Sequence, residues 1–161
     1  MSMEVKLREF REGDLEAIFR LDEACFAADF RFDRESMRQF VTRKGAIVVL
    51  AVATEGSGCE GEVAGFVIVH LEGRRRMVRG YVVTVDTADG WRRRGVGARL
   101  MDAAEMAVRK SGAAVMDLHV YTENDGAIKF YEGRGYVRAG MVKRFYGTAG
   151  LPAFTYRKVL E

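Results

Sequence analysis

The stretch Trp91-Arg92-Arg93-Arg94-Gly95-Val96-Gly97-Ala98 sets three arginines in front of two glycines. Glycine lets a backbone approach a ligand closely and present its N–H groups. A helix beginning here adds the positive end of its aligned peptide dipoles. An arginine fork can grip an oxyanion through two hydrogen bonds. These parts describe a cradle for a pyrophosphate. The stretch has neither the Gly-Lys-Ser/Thr of a Walker loop nor the third glycine of the dinucleotide fingerprint. The plain alternative is a solvated arginine cluster beside a helix-start glycine.

A second segment follows, from Leu118 to Tyr136. A strand ends, Asn124 opens a helix, and Phe130 and Tyr131 close it ahead of Gly133 and Gly135. His119 lies on the strand leading in and Tyr81 on the strand before the arginine turn. Histidine titrates near neutral pH, which suits a general base acting directly or through water. The structural alternatives are a hydrogen-bonded core histidine and a packing aromatic, and His70 is read as structural.

The two segments together resemble the GNAT superfamily of acetyl-CoA-dependent N-acetyltransferases. Arg92, Gly95 and Gly97 match its phosphate motif Arg/Gln-x-x-Gly-x-Gly/Ala. Asn124 to Tyr136 matches its second motif, Asn-x-x-Ala-Ile-x-Phe-Tyr-Glu-x-x-Gly-Phe/Tyr. The resemblance implies acetyl-CoA as co-substrate, its pyrophosphate on the backbone from Arg93 and Arg94 through Gly95, Val96 and Gly97 to Ala98. It implies that the main chain of Val83, Thr84 and Val85 pairs with the pantetheine arm and steadies the thioester oxygen. Asn124 would bind the arm from the other side, and Tyr131 would protonate the leaving thiolate.

Acetyl transfer needs a neutral amine, a donor for the developing oxyanion and a proton for the sulfur. Tyr81 and His119 are the candidates for the base. Tyr81-Val82-Val83-Thr84 and Leu118-His119-Val120 resemble segments of protein N-terminal acetyltransferases; the bacterial RimI-like enzymes carry Glu at the His119 position. Phe30 and Tyr146 are candidate acceptor contacts. The loop Arg144–Pro152 departs from that subgroup in having no acidic residue. The favoured acceptor is a protein N-terminal α-amine, whose pKa of ~8 against ~10.4 for lysine makes it easier to deprotonate. A small-molecule amine is the alternative.

These residues need elements to hold them. Apolar–charged alternation predicts a strand over Met3 to Arg8. Helical spacing predicts one helix from an Asp14 cap and another from Asp33. Ala46 to Ala53, Glu62 to Leu71 and Met77 to Asp86 read as an antiparallel meander, in which Tyr81, Val83 and Val85 share one face. Glu55 to Gly61 reads as a flexible loop or hairpin connection. Arg74, Arg75, Arg76 and Arg79 fall at a hairpin tip, where they are solvated or steer an acidic acceptor. Gly95 to Lys110 is a helix, Val115 to Tyr121 a strand, Asp125 to Glu132 a helix, and Tyr136 to Val142 and Phe154 to Val159 closing strands. The order β-α-α-β-β-β-α-β-α-β-β predicts an α/β (α+β type) fold: a mixed, twisted, mostly antiparallel sheet of seven strands with helices on both faces. An exposed edge at the last strand would permit a homodimer as well as a monomer.

With 161 residues, 48% hydrophobic and 30% charged, the chain is expected to form one domain over 1–161. Its longest apolar run, Ala46 to Ala53, is too short to span a membrane. Met1-Ser2-Met3-Glu4 does not open like a secretory signal, so a cytoplasmic location is expected. Cys25 and Cys59 form no disulfide framework, and with His70 and His119 the only histidines no metal site is expected. The net charge of +3 comes from 26 basic and 23 acidic residues, twenty of the basic ones arginine. That balance alone fits nucleic acid as well as a phosphorylated ligand, but no nucleic-acid recognition motif is present. A catalytically silent acyl-CoA sensor is the remaining class.

Overall fold

The computed structural model describes residues 4–54 and 61–161. Residues 55–60 of the expected loop, Cys59 among them, and Met3 of the first strand lie outside the described residues. The elements follow the expected order: β1 (Val5–Glu9), α1 (Leu15–Cys25), α2 (Arg34–Thr42), β2 (Ile47–Ala53), β3 (Val63–Glu72), β4 (Arg79–Thr87), α3 (Val96–Lys110), β5 (Val115–Tyr121), α4 (Asp125–Gly133), β6 (Val137–Tyr146) and β7 (Leu151–Val159). Asp33 caps α2 by accepting the Ser36 N–H at 2.7 Å, satisfying one of the amides a helix start leaves over. Asp14 does not cap α1 with its side chain. Its carboxylate pairs instead with Arg8 and accepts the Arg11 N–H, each at 2.7 Å.

The seven strands lie in the order β1-β2-β3-β4-β5-β7-β6. Every pairing is antiparallel except β4 with β5. The last strand is therefore internal, and the edge at that end of the sheet is β6. The burial of the two strands explains the exchange: β7 buries Ala153 and Tyr156, whereas most of β6 is exposed.

Period-two alternation sends the sheet's apolar side chains to both faces. On one, Val48, Leu50, Phe66 and Ile68 meet Ile18 of α1 and Met37 of α2. On the other, Val67, Val69, Val82 and Met116 meet Val96, Leu100, Met101 and Val108 of α3, with Tyr131 of α4. Burying each such aliphatic side chain contributes about 1.5–3 kcal/mol. Gly80 lets α3 close on β4: a Cβ there would stand 2.8 Å from Val108 and 2.6 Å from the Met116 sulfur.

Strand β4 departs from a regular ladder in two places. Ile68 pairs with Thr84 but Val69 with Val82, so Val83 is an extra residue, a β-bulge. The bulge resets the alternation. Tyr81 and Val83 face α1 and α2, Thr84 and Asp86 stay on that side, and Val85 turns to the α3 core. The expectation that Tyr81, Val83 and Val85 share a face is thus corrected. Second, β4 and β5 pair only over Gly80–Val82 with Met116–Leu118. Beyond that the strands splay, and β4 from Thr84 to Thr87 has β3 as its one strand partner.

Candidate active site

The splay between β4 and β5 forms a V. The open main-chain edge of Val83, Thr84 and Val85 makes one wall, so its N–H and C=O groups on that side have no strand partner. Thr84 offers only backbone there, because its buried hydroxyl donates to Asp86. At the end of β4 the chain turns through Asp89–Trp91 into α3. Arg93 (φ 61°) and Gly95 (φ 79°) adopt left-handed conformations within this turn; alternating left- and right-handed residues aim successive amides into one concavity. The first bond across the α3 start runs from the Arg99 N–H to the Gly95 carbonyl at 3.0 Å. No side chain caps this helix, so the Val96, Gly97 and Ala98 amides have no helical acceptor. Arg92 and Arg93 are exposed and Arg94 lies 5.6 Å over the Trp91 ring. An anion seat and an open strand edge thus adjoin, which fits an extended donor with a diphosphate.

Asn124 caps α4, its Oδ1 accepting the Ala127 N–H at 3.1 Å, which leaves its NH2 to donate to a ligand. Tyr131 lies on the α3 side, buried among Phe130 and Tyr136. Its hydroxyl makes no hydrogen bond among the described residues, and it lies within the fields of Asp86 and Tyr81. Burial raises its pKa strongly, so it stays a protonated phenol, able to donate.

On the opposite face a cavity of about 910 Å³ opens between β3–β4, α2, the α1–α2 loop and the β6–β7 turn. It brings together Phe30, Tyr81, Val83, His119 and Tyr146. Tyr131 does not line it; the V separates the two. The Tyr81 hydroxyl stands 2.7 Å from Nδ1 of His119. Phe145 stacks on the other side of the imidazole, ring centroids 4.0 Å apart and planes 10° from parallel. Phe30 packs between Tyr121 and Tyr146, 5.0 Å from each.

The electrostatics keep this pair neutral. Burial pushes the Tyr81 phenol up to about 12. Burial, then the nearby Arg79 guanidinium, lowers the His119 pKa below its usual 6.5. Arg79 was expected at the hairpin tip. It lies in β4, bonded to Asp117 at 2.7 Å and Glu72 at 2.9 Å, with its guanidinium 5.4 Å from the Tyr81 ring centroid. Arg157 completes the group on Asp117. His70 is held between the Phe40 carbonyl at 2.9 Å and Arg43 Nη1 at 3.1 Å. Since arginine only donates, Nδ1 accepts and Nε2–H donates, which requires a neutral ring; burial lowers its pKa accordingly.

Several contributors carry no signal in their local sequence. Phe145 comes from the end of β6, Phe40 and Arg43 from α2 and its C-terminal cap, and Glu72 from β3. Among the described residues no group of three metal-ligating side chains occurs, and no helix is long and apolar enough to cross a membrane.

Residues 15–136 match the model of the acetyltransferase (GNAT) family. N-alpha-acetyltransferase RimI of Mycobacterium tuberculosis is 30% identical over 103 residues, 64% of this chain and 63% of that protein. N-alpha-acetyltransferase MAK3 of Arabidopsis thaliana is 27% identical over 95 residues, 59% of this chain and 50% of that protein. The matches thus span half to just under two thirds of those relatives' lengths. Among solved structures, the NatC complex bound to Gag peptide and CoA has a chain of the same fold: TM-score 0.85, 21% identity, covering 99% of this chain and 100% of that one.

Proposed function

The chain belongs to the acetyltransferase (GNAT) family, and from that premise we propose that it moves an acetyl group from acetyl-CoA to the N-terminal α-amine of a protein. One observation carries the reading: the Tyr81–His119 pair stands 2.7 Å apart at the base of the acceptor cavity, beside the open β4 edge. The names of the relatives support the choice of acceptor.

The donor, when bound, supplies an acetyl thioester. The Val96, Gly97 and Ala98 amides hold its diphosphate, with Arg92, Arg93 and Arg94 adding charge. The backbone of Val83, Thr84 and Val85 aligns the arm, and an N–H of that bulge stabilises the developing oxyanion. The acceptor amine enters from the cavity along Phe30 and Tyr146. It passes a proton to the Tyr81 oxygen as the Tyr81 proton moves to Nδ1 of His119. Tyr131, on the far side of the V, protonates the departing sulfur.

The test is thiol release from acetyl-CoA against a panel of N-terminal peptides, lysine side-chain peptides and small amines. Turnover confined to the free α-amine of peptides is expected. Turnover with small amines alone would replace the acceptor assignment. No turnover, with acetyl-CoA still binding, would leave an acyl-CoA sensor.

A further inference from the structure

Two carboxyl groups that the reaction does not use lie sealed between α1 and β4. Asp22 is 0% and Asp86 1% exposed. Asp22 Oδ2 accepts the Phe32 N–H at 2.9 Å. Asp86 Oδ1 accepts the Thr84 hydroxyl. The other two oxygens, Asp22 Oδ1 and Asp86 Oδ2, are buried and have no donor from any other group among the described residues. The carboxyls are within hydrogen-bonding reach of each other. Two ionised carboxylates in contact and out of water repel and leave these oxygens unsatisfied. One proton between them removes both penalties.

We propose that Asp22 and Asp86 share one proton and act as a positioning pair, tying the acceptor-side loop at Phe32 to the donor-side strand edge at Thr84. Phe32 and Phe30 line the acceptor cavity, and Thr84 is part of the β4 edge. A single hydrogen-bonded path therefore runs from Phe32 N–H through Asp22 and Asp86 to the Thr84 hydroxyl. Burial raises the affinity of both carboxyls for that proton, and the charge of Asp22 raises it further at Asp86. The other titratable or charged groups facing the pair are Cys25 on α1, Arg31 in the α1–α2 loop, Arg92 beyond β4, and Tyr131 on α4. The catalytic consequence rests on the acetyl-transfer reading, whereas the shared proton does not.

Infrared difference spectroscopy of the whole protein tests the proton directly. At neutral pH the wild type should show the C=O stretch of a protonated carboxyl, and Asp86→Asn should lose it; a wild type without that band overturns the proposal. Amide hydrogen exchange at Phe32 should be slow in the wild type and in Asp22→Asn, whose side chain can still accept that N–H and bond to Asp86. Rapid wild-type exchange would show that the tether does not hold. Where transfer is measurable, Asp22→Ala should raise the acceptor KM about tenfold with acetyl-CoA affinity little changed, and Asp22→Asn should restore it. An unaltered KM in Asp22→Ala would rule out the positioning role while leaving the acetyltransferase reading intact.

Discussion

Phe145 lies flat on the imidazole of His119, 4.0 Å between ring centroids, while Tyr81 holds Nδ1 of the same ring at 2.7 Å. The imidazole is thus fixed from above by the end of β6 and from the side by β4. Orientation of this kind places a proton acceptor without further ordering when the amine arrives.

Tyr81→Phe and His119→Ala should each lower kcat by about a hundredfold, the low end for a lost general base. The double variant should be little worse than the worse single one, because the two residues act as one relay. Acetyl-CoA affinity, read by calorimetry, should not change. Additive losses would separate their roles.

Tyr131→Phe removes the phenol and keeps the ring packed against Phe130 and Tyr136. It should lower kcat at saturating acetyl-CoA by about tenfold or more with little change in melting temperature. Undiminished turnover would take the sulfur-protonating role away from Tyr131.

The base must be neutral, so kcat/KM should fall on acidification through the His119 pKa. Burial and Arg79 set that pKa below 6.5, so the midpoint of the acid limb should lie below pH 6.5. Arg79→Gln removes a cation and leaves Asp117 and Glu72 to favour the imidazolium. The acid limb should move to higher pH, in step with the His119 ring resonances titrated by NMR. A limb that stays in place would assign it to another group.

Gly95 sits at φ 79° with nothing within 4 Å of a built Cβ, so Gly95→Ala meets no protein atom. Its left-handed backbone should cost about 1–2 kcal/mol of stability, and the methyl would occupy the ligand side of the anion seat. Calorimetry should register acetyl-CoA binding weakened well beyond the effect of the same substitution at exposed Gly133. Equal affinities would move the diphosphate elsewhere.

Gly147 carries φ 62°, and a Cβ there would stand 2.6 Å from Asp29 Oδ1. Gly147→Ala should push the β6–β7 turn off the α1–α2 loop, and with it Tyr146 and Phe30. Acceptor KM should rise severalfold while acetyl-CoA affinity holds. A change confined to the donor would contradict this division of the site.

The turn proposed to hold the donor was legible because it is local. Arg92, Gly95 and Gly97 stand in one turn, and a helix start exposes its own amides whatever packs elsewhere. Strand and helix positions followed from periodicity for the same reason. The acceptor half was legible only in part: Tyr81, His119 and Tyr146 drew notice by type, while the stacking of Phe145 and the ion pairs that hold Arg79 beside His119 did not show, since both depend on distant partners.

The sequence by itself determined the order of elements, the two apolar sheet faces and the arginine–glycine turn that opens α3, all of which follow from spacing along the chain. Tertiary structure alone decided three things. Val83 became a bulge, which turned Val85 away from Tyr81; β7 took the inner place beside β5 and left β6 as the edge; and Asp22 met Asp86 across the α1–β4 contact. Each depends on registry or burial between segments far apart in sequence, where the free energy lies in the pairing and not in either segment.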